Sequence, residues 1–236
     1  MSFLLDTANM HTFVDAFRFI GDNPGFLARK ALEQLELSGA ALGIALAITL
    51  PLGIVLGHLH RGSGLAVGAS IVGRALPSLV LIAAFLTVLG IGFVNNMVAL
   101  AVLASGPILT NSFDGVDRVD PDAVESARGM GMTGLQILRQ VELPLALPLL
   151  FVGIRIATVT VVATAPIAAI AGGGGLGDII VNQASYRLEG VFGASICVMV
   201  LSAGAFIALV GLQAAVTPAG VRRTRVGMDP GRKERL

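Results

Sequence analysis

Charged residues, tyrosine, tryptophan and cysteine are all scarce in this chain of 236 residues. Only 13% of the residues are charged, against about 25% in soluble domains, so the chain cannot easily cover a globular surface in water. The single cysteine, Cys197, excludes an internal disulfide and a metal site built from several cysteines. A net charge of +1 gives no reason to expect nucleic-acid binding.

Apolar residues are abundant instead, at 55% of the chain, with a mean hydropathy of +0.85. This composition excludes intrinsic disorder and indicates a bilayer as the solvent. The long runs are uniformly apolar, whereas a membrane β-barrel needs apolar and polar residues in alternation, so we predict an all-α polytopic membrane protein. Runs of about 20 residues with few charges predict five membrane spans. These spans are 37–57, 70–90, 94–113, 145–171 and 191–216.

The spans lie in a predicted transmembrane domain at 35–217, between an amphipathic interfacial segment at 1–34 and a basic tail at 218–236. In the first segment Phe13, Phe17 and Ile20 recur at helical spacing, which is typical of a helix on the membrane surface. Asn23 and Pro24 then predict an N-cap and the first position of a new helix. Acidic residues and the lack of a basic stretch at the N-terminus argue against a cleavable signal peptide.

Basic residues predict the orientation, because cytoplasmic loops carry an excess of lysine and arginine. One set of loops and the tail hold ten basic residues, and the other set holds four. We therefore expect the 114–144 loop and the C-terminus in the cytoplasm and the N-terminus outside. Spacings of Gly-x-x-x-Gly at Gly39 and Gly43, and at Gly53 and Gly57, predict close helix packing.

The loop at 114–144 is the one long polar segment inside the membrane domain. Asp120 followed by Pro121 predicts the capped start of a short helix that stops around residues 129–131. Thr133 then predicts a cap for a second short helix, which Leu143 and Pro144 would end before the next span. Two short helices at a glycine bend would form a rigid elbow able to transmit force from a soluble partner.

The spacing of this loop resembles the EAA loop of ABC importer permeases. The sequence reads Glu125-Ser126-Ala127, three residues, Gly131, nine residues and Val141-Glu142-Leu143-Pro144. The family pattern is Glu-Ala-Ala, three residues, Gly, nine residues and Ile-x-Leu-Pro, so Ser126 and Val141 depart from it conservatively.

Further segments resemble the osmoprotectant permeases of that family over roughly residues 35–216. They are Leu76-Pro-Ser-Leu-Val80, Ala127-Arg-Gly-Met-Gly-Met132, Val141-Glu-Leu-Pro-Leu-Ala-Leu-Pro148, Gly153-Ile-Arg155 and Gly174-Gly-Leu-Gly177. The resemblance implies a five-helix, MetI-like core of a type I importer in a prokaryotic cell membrane, carrying glycine betaine, choline, carnitine or proline. It also implies two cytoplasmic ABC ATPases, a second permease that is identical or paralogous, and an extracytoplasmic solute-binding protein.

The coupling residues are assigned by the same resemblance, and the translocation or gating candidates are inferred separately from it. The residues expected to couple to the ATPase are Glu125, Ser126, Ala127, Arg128, Gly129, Gly131 and Pro144. Those considered for translocation or gating are Arg74, Pro77, Arg155, Gly174, Gly175 and Gly177. For Arg155 and Arg74, snorkelling or a structural ion pair are open alternatives.

The chain holds two lysines, and neither lies in a Walker A loop, so no nucleotide site is expected in it. We expect no enzyme activity and no cofactor here, with ATP and Mg²⁺ bound by the partner ATPase. Because a quaternary ammonium ion is usually held by an aromatic cage, and tryptophan is absent, high-affinity recognition is expected on the binding protein.

Several alternatives stay open at this stage. The solute could be an amino acid, or the chain could be an ion-coupled secondary transporter, although no repeat and no carboxylate within a core span supports the latter. Gly172, Gly174 and Gly177 match a dinucleotide-binding spacing, but an apolar helix precedes them instead of a strand. His58 and His60 are interpreted as lying on a solvated turn, since two histidines alone make a poor zinc site.

Overall fold

The computed structural model describes residues 13–62, 64, 68 and 77–216, which form helices and turns and no β-strand. Helix α1 is at residues 13–22. The helices that follow are α2 (Pro24–His58), α3 (Ser78–Leu89), α4 (Phe93–Asp117), α5 (Pro121–Gly129), α6 (Gly134–Ile137), α7 (Leu143–Thr164), α8 (Gly177–Val181) and α9 (Gln183–Val216). A π-turn at Leu138–Glu142 precedes α7, and a 3₁₀-helix at Ala165–Ala171 follows it. These elements confirm the predicted all-helical fold class.

Within these ranges, four helical segments are long and apolar enough to cross a membrane: Pro24–His58, Phe93–Asp117, Gly134–Ala171 and Gln183–Val216. The second predicted span, 70–90, is represented by the 12 residues of α3, and residues 70–76 lie outside the described residues. The break predicted near Gly90 is confirmed, since Gly90 and Gly92 have φ values of 76° and 134° between α3 and α4.

Helix α2 begins at Pro24 with Asn23 before it, as the sequence predicts, but the Asn23 side chain makes no capping hydrogen bond to α2. Its Nδ2 instead donates to the Phe19 carbonyl oxygen at 3.1 Å. Helix α1 then packs against α9, where Gly193 leaves room for Phe19 and Ile20. Phe13 and Phe17 stay more than half exposed, as a helix on a membrane surface requires.

Helices α2, α4 and α7 form the main core, and small residues bring their backbones together. A Cβ on Gly53 or Gly57 would lie within 3 Å of atoms of α4, and a Cβ on Gly153 would lie 2.8 Å from the Pro107 carbonyl oxygen. Close packing is therefore confirmed for Gly53 and Gly57, whereas Gly39 and Gly43 face no described atom within 4 Å.

Helix α2 contacts the polar loop at one of its ends and the glycine-rich turn at the other. His58 contacts Glu142 at one end, while Gln34 contacts Val162 and Gly175 at the other. We call the end with residues 58–62 and 117–142 the polar-loop end, and the end with residues 90–92 and 172–177 the glycine end.

One boundary prediction at the polar-loop end is wrong. Leu143 and Pro144 do not end the second short helix, because α6, the π-turn and α7 run on as one helical segment, Gly134–Ala171. A proline ring clashes with the carbonyl four residues earlier in an ordinary α-helix. The π-turn just before Pro144 widens the helix at that place, so the helix continues through the proline.

Candidate functional site

Helix α5 stands out from the membrane domain as a short, doubly capped surface helix. Asp120 Oδ1 accepts the Asp122 backbone N–H at 3.0 Å, which confirms the predicted N-cap. Ala127, 1% exposed, is the buried residue of α5 and anchors it. Glu125 and Arg128 are exposed beside it. The helix therefore presents a charged face that nothing in the described chain covers.

Gly131 ends α5 through a specific backbone geometry. Its φ of +82° is the left-handed conformation that glycine adopts without a steric penalty. The Gly131 N–H donates to the Arg128 carbonyl at 2.9 Å, and the Met132 N–H donates to the Ala127 carbonyl at 3.2 Å. These two bonds form a Schellman motif, which fixes the direction of the chain as it leaves α5.

The elbow on the other side of Gly131 is also fixed. The Thr133 N–H donates to Gln136 Oε1 at 2.7 Å at the start of α6, so Thr133 takes the predicted N-cap position. Met130 and Leu135 flank the bend and are 76% and 58% exposed. Exposed apolar side chains rimmed by charges are typical of a protein contact surface. Pro144 lies half-buried in the first turn of α7, at the base of the elbow.

His60 lies on an exposed turn, as the sequence predicts, but the interpretation is wrong for His58, which is the last residue of α2 and is partly buried. His58 Nδ1 lies 2.6 Å from Glu142 Oε2, and His60 Nδ1 lies 2.8 Å from Asp117 Oδ1. The Glu142 side chain is 4% exposed and the Asp117 side chain 31% exposed. No local pattern in the sequence indicates either pair, because the partners are 84 and 57 residues apart.

At the glycine end, residues 172–177 form a tightly packed turn. Gly174 and Gly175 have φ values of 71° and 76°, and a Cβ on Gly175 would lie 3.1 Å from the Gln34 Cβ. A Cβ on Gly177 would collide with the Pro166 carbonyl oxygen. The 3₁₀-helix before this turn is not a strand, so the dinucleotide-binding interpretation lacks its structural context.

A cluster of charged side chains, which the sequence alone did not indicate, holds this turn to α2. Lys30 Nζ lies 2.7 Å from Asp178 Oδ2 and 2.8 Å from Glu33 Oε2. Glu33 Oε2 also accepts the Gly175 backbone N–H at 3.1 Å. The contact of Lys30 with Glu33 follows from their spacing of three residues on a helix. The contact with Asp178 could not be predicted, because Asp178 lies 148 residues away from Lys30.

Arg155 lies about halfway along α7, at the edge of a mostly apolar groove. Its guanidinium is 5.8 Å from the centre of the Phe206 ring on α9. The groove has a volume of about 430 Å³, and its other lining residues are Val152, Ile156, Val159 and Thr160. Of the two remaining gating candidates, Pro77 is exposed at the N-cap of α3, and Arg74 lies outside the described residues.

The described candidate residues thus fall into four places, and the structure does not bring them into one site. The candidate coupling residues share α5 and its elbow, the glycines lie at the opposite end, Arg155 lies between them, and Pro77 lies at the start of α3. Within residues 13–62 and 77–216, no group of three or more histidine, cysteine, aspartate or glutamate side chains is placed to hold a metal ion. This arrangement fits a mechanical linkage across a membrane.

Curated relatives cover nearly the whole chain. The choline transport system permease protein OpuBB of Bacillus subtilis is 36% identical over 217 residues, which is 92% of this chain and 99% of the relative. The glycine betaine/carnitine/choline transport system permease protein OpuCB of the same organism is 36% identical, over 86% of this chain and 94% of the relative. The osmoprotectant import permease protein OsmW of Salmonella typhimurium is 32% identical, over 89% of this chain and 100% of the relative.

Solved structures show the same fold. The MetNI methionine ABC transporter, in an inward-facing conformation, matches with a TM-score of 0.70 at 25% identity, over 81% of this chain and 96% of that one. The sequence pattern of one family matches residues 49–219. The chain therefore belongs to the family of binding-protein-dependent transport system inner membrane components, whose members are permease subunits.

Proposed function

We propose that this chain is the permease subunit of an ATP-driven importer for osmoprotectants such as glycine betaine, choline, carnitine or proline. The observation that carries the proposal is α5, an exposed helix of the EAA pattern capped at Asp120 and Gly131. Relatives named for choline, carnitine and glycine betaine transport support the solute class. Membership of a binding-protein-dependent family argues against the ion-coupled alternative.

ATP and Mg²⁺ bind to two partner ATPases on the cytoplasmic side, and this chain hydrolyses nothing itself. The exposed face with Glu125, Ser126 and Arg128 contacts the ATPase, with Met130 and Leu135 at the rim. Ala127, on the buried side of the same helix, connects that face to the rest of the chain, so that a displacement of the helix is passed on. The polar-loop end and the C-terminus are therefore cytoplasmic, and the glycine end faces outside.

Closure of the ATPases moves α5 as a rigid body, since both of its ends are fixed by hydrogen bonds. The displacement passes through the elbow into the continuous helical segment Gly134–Ala171, which reaches the glycine end. Tilting this segment against a second permease, identical or paralogous, exposes the pathway alternately to the two sides.

Arg155 and its groove face that pathway. A charge at this depth is costly against lipid, so the face that carries it lies toward water or toward the second permease. The aromatic residue in the groove is Phe206, which already stacks with the guanidinium. A quaternary ammonium ion therefore finds no ready cage there, and selectivity comes from an external binding protein.

The test is uptake of labelled glycine betaine by proteoliposomes that contain the complex purified with its co-purifying chains. We expect uptake that needs ATP and the binding protein and that survives an ionophore. Competition with unlabelled choline, carnitine, proline and methionine identifies the solute class. Uptake that collapses with the ion gradient, or that only methionine competes with, contradicts the proposal.

A further inference from the structure

Two histidines at the end of α2 hold the two ends of the polar loop. Asp117, the partner of His60, is the last residue of α4, where the loop begins. Glu142, the partner of His58, is the last residue of the π-turn, where the loop joins α7. At this end α2 packs against α4 at Gly57, and the two histidine pairs add its polar contacts to the loop.

The two pairs differ in burial. Glu142 is 3% exposed, and the His58 side chain is 24% exposed. A Cβ on Gly134 would lie 3.5 Å from His58 Nε2, so the imidazole fits between the π-turn and the first residue of α6. The His60 side chain is 58% exposed, and an exposed pair of this kind contributes little to rigidity.

Helix α2 carries a second polar attachment at its other end. Glu33 accepts the Gly175 N–H, and Lys30 binds Asp178, which follows the glycine turn. The rise along α2 from Lys30 to His58 is about 42 Å at 1.5 Å per residue. One helix is thus held by side chains to the cytoplasmic elbow and to the external turn.

We propose that His58 is a positioning residue that couples the ATPase-contacting elbow to α2, and through α2 to the glycine turn. This inference rests on the proposed function, because the elbow must first receive motion from an ATPase. Through its bond to Glu142, α2 moves together with α7 as the π-turn moves. Without that bond, α2 is held to α7 only through the apolar core and follows the elbow less closely, so more ATP is hydrolysed for each solute imported.

The experiment measures ATP hydrolysed per glycine betaine imported by the complete complex in proteoliposomes. The His58→Ala variant removes the hydrogen bond. The His58→Asn variant keeps an amide N–H at the position of Nδ1, so it should restore the bond. The His60→Ala variant is the matched control, because it removes the exposed pair with Asp117. Retention of the ATPase during purification is recorded for each variant.

We expect His58→Ala to raise the ratio of ATP to solute by a factor between about 2 and 30, the range that mutations along coupling routes produce. His58→Asn and His60→Ala should stay near the wild-type ratio with the ATPase bound. Should His58→Ala fail to assemble, Glu142→Leu fills the buried site without a charge, and the same rise is expected. A purely structural role would lower uptake and hydrolysis together and leave the ratio unchanged.

A wild-type ratio in both His58→Ala and Glu142→Leu, with the ATPase retained, overturns the inference and leaves the proposed function intact. Equal defects in His58→Ala and His58→Asn overturn it as well. A wild-type complex that binds no ATPase, or that imports without hydrolysing ATP, contradicts the proposed function, and the inference is refuted with it.

Discussion

Gly131 allows the conformation of the elbow to be tested separately from its packing. Its φ of +82° disfavours any residue with a Cβ, while a Cβ placed there meets no described atom within 4 Å. Within this chain, Gly131→Ala therefore changes backbone preference without changing the packing. Gly129→Ala is the matched control, because Gly129 also has open space around it but is helical with an ordinary φ.

The expected changes in free energy follow from the left-handed backbone at Gly131 and the helical backbone at Gly129. A left-handed backbone costs an L-residue about 1–2 kcal/mol. Alanine also lowers the conformational entropy of the unfolded chain, which stabilises the folded state by about 0.4–1 kcal/mol and offsets part of that cost. The Schellman geometry at Gly131 thus loses about 1 kcal/mol, which corresponds to roughly a fivefold weaker interaction with a partner that needs it. Alanine at Gly129 favours the helix by up to about 1 kcal/mol and should bind at least as well as wild type.

The assay is the affinity of the detergent-solubilised permease for its purified ATPase, measured by titration, together with uptake in proteoliposomes. Gly131→Ala should bind several times more weakly, Gly131→Asn should be intermediate because asparagine tolerates this conformation, and Gly129→Ala should bind normally. Equal affinity in Gly131→Ala and wild type would refute the role assigned to this backbone geometry, as would an equal loss in both alanine variants.

Three other substitutions test the rest of the chain. Gly177→Ala places a methyl group against the Pro166 carbonyl oxygen and should cost about 1–3 kcal/mol, seen as a lower Tm, whereas Gly204→Ala, with open space, should not. Lys30→Met should cost less than about 1 kcal/mol, since Asp178 and Glu33 are each more than a third exposed, and its Tm difference should vanish in about 1 M salt, where charges are screened. Arg155→Gln should leave the ATPase bound but change the uptake rate; an unchanged rate would remove Arg155 from the pathway.

Local chemistry made much of the polar loop predictable. The cap at Asp120, the stop at residues 129–131 and the cap position of Thr133 depend on neighbours within a few residues, and the structure confirms all three. The break at Gly90 was predictable for the same reason. The start and the end of helix α5 could therefore be predicted from the amino-acid sequence alone.

Long-range pairs were not predictable, because no local pattern encodes them. Asp178 meets Lys30 and Glu142 meets His58 only after the helices pack. The continuation through Pro144 was missed for a different reason: proline at an apparent boundary predicts a stop, and the π-turn that accommodates it has no signature in the sequence. The exposed elbow could be predicted, but its attachment to α2 could not.

The central claim is that α5, and not the glycine end, contacts the ATPase. Ser126 and Ser185 are both exposed, one on α5 and one near the glycine end. In a Cys197→Ser background, each serine is changed to cysteine and labelled with a maleimide that carries a photoreactive benzophenone, and the complex is illuminated in membranes. We predict an adduct of this chain with the ATPase for Ser126→Cys and none for Ser185→Cys. An ATPase adduct at Ser185→Cys, or only a binding-protein adduct at Ser126→Cys, would contradict the claim.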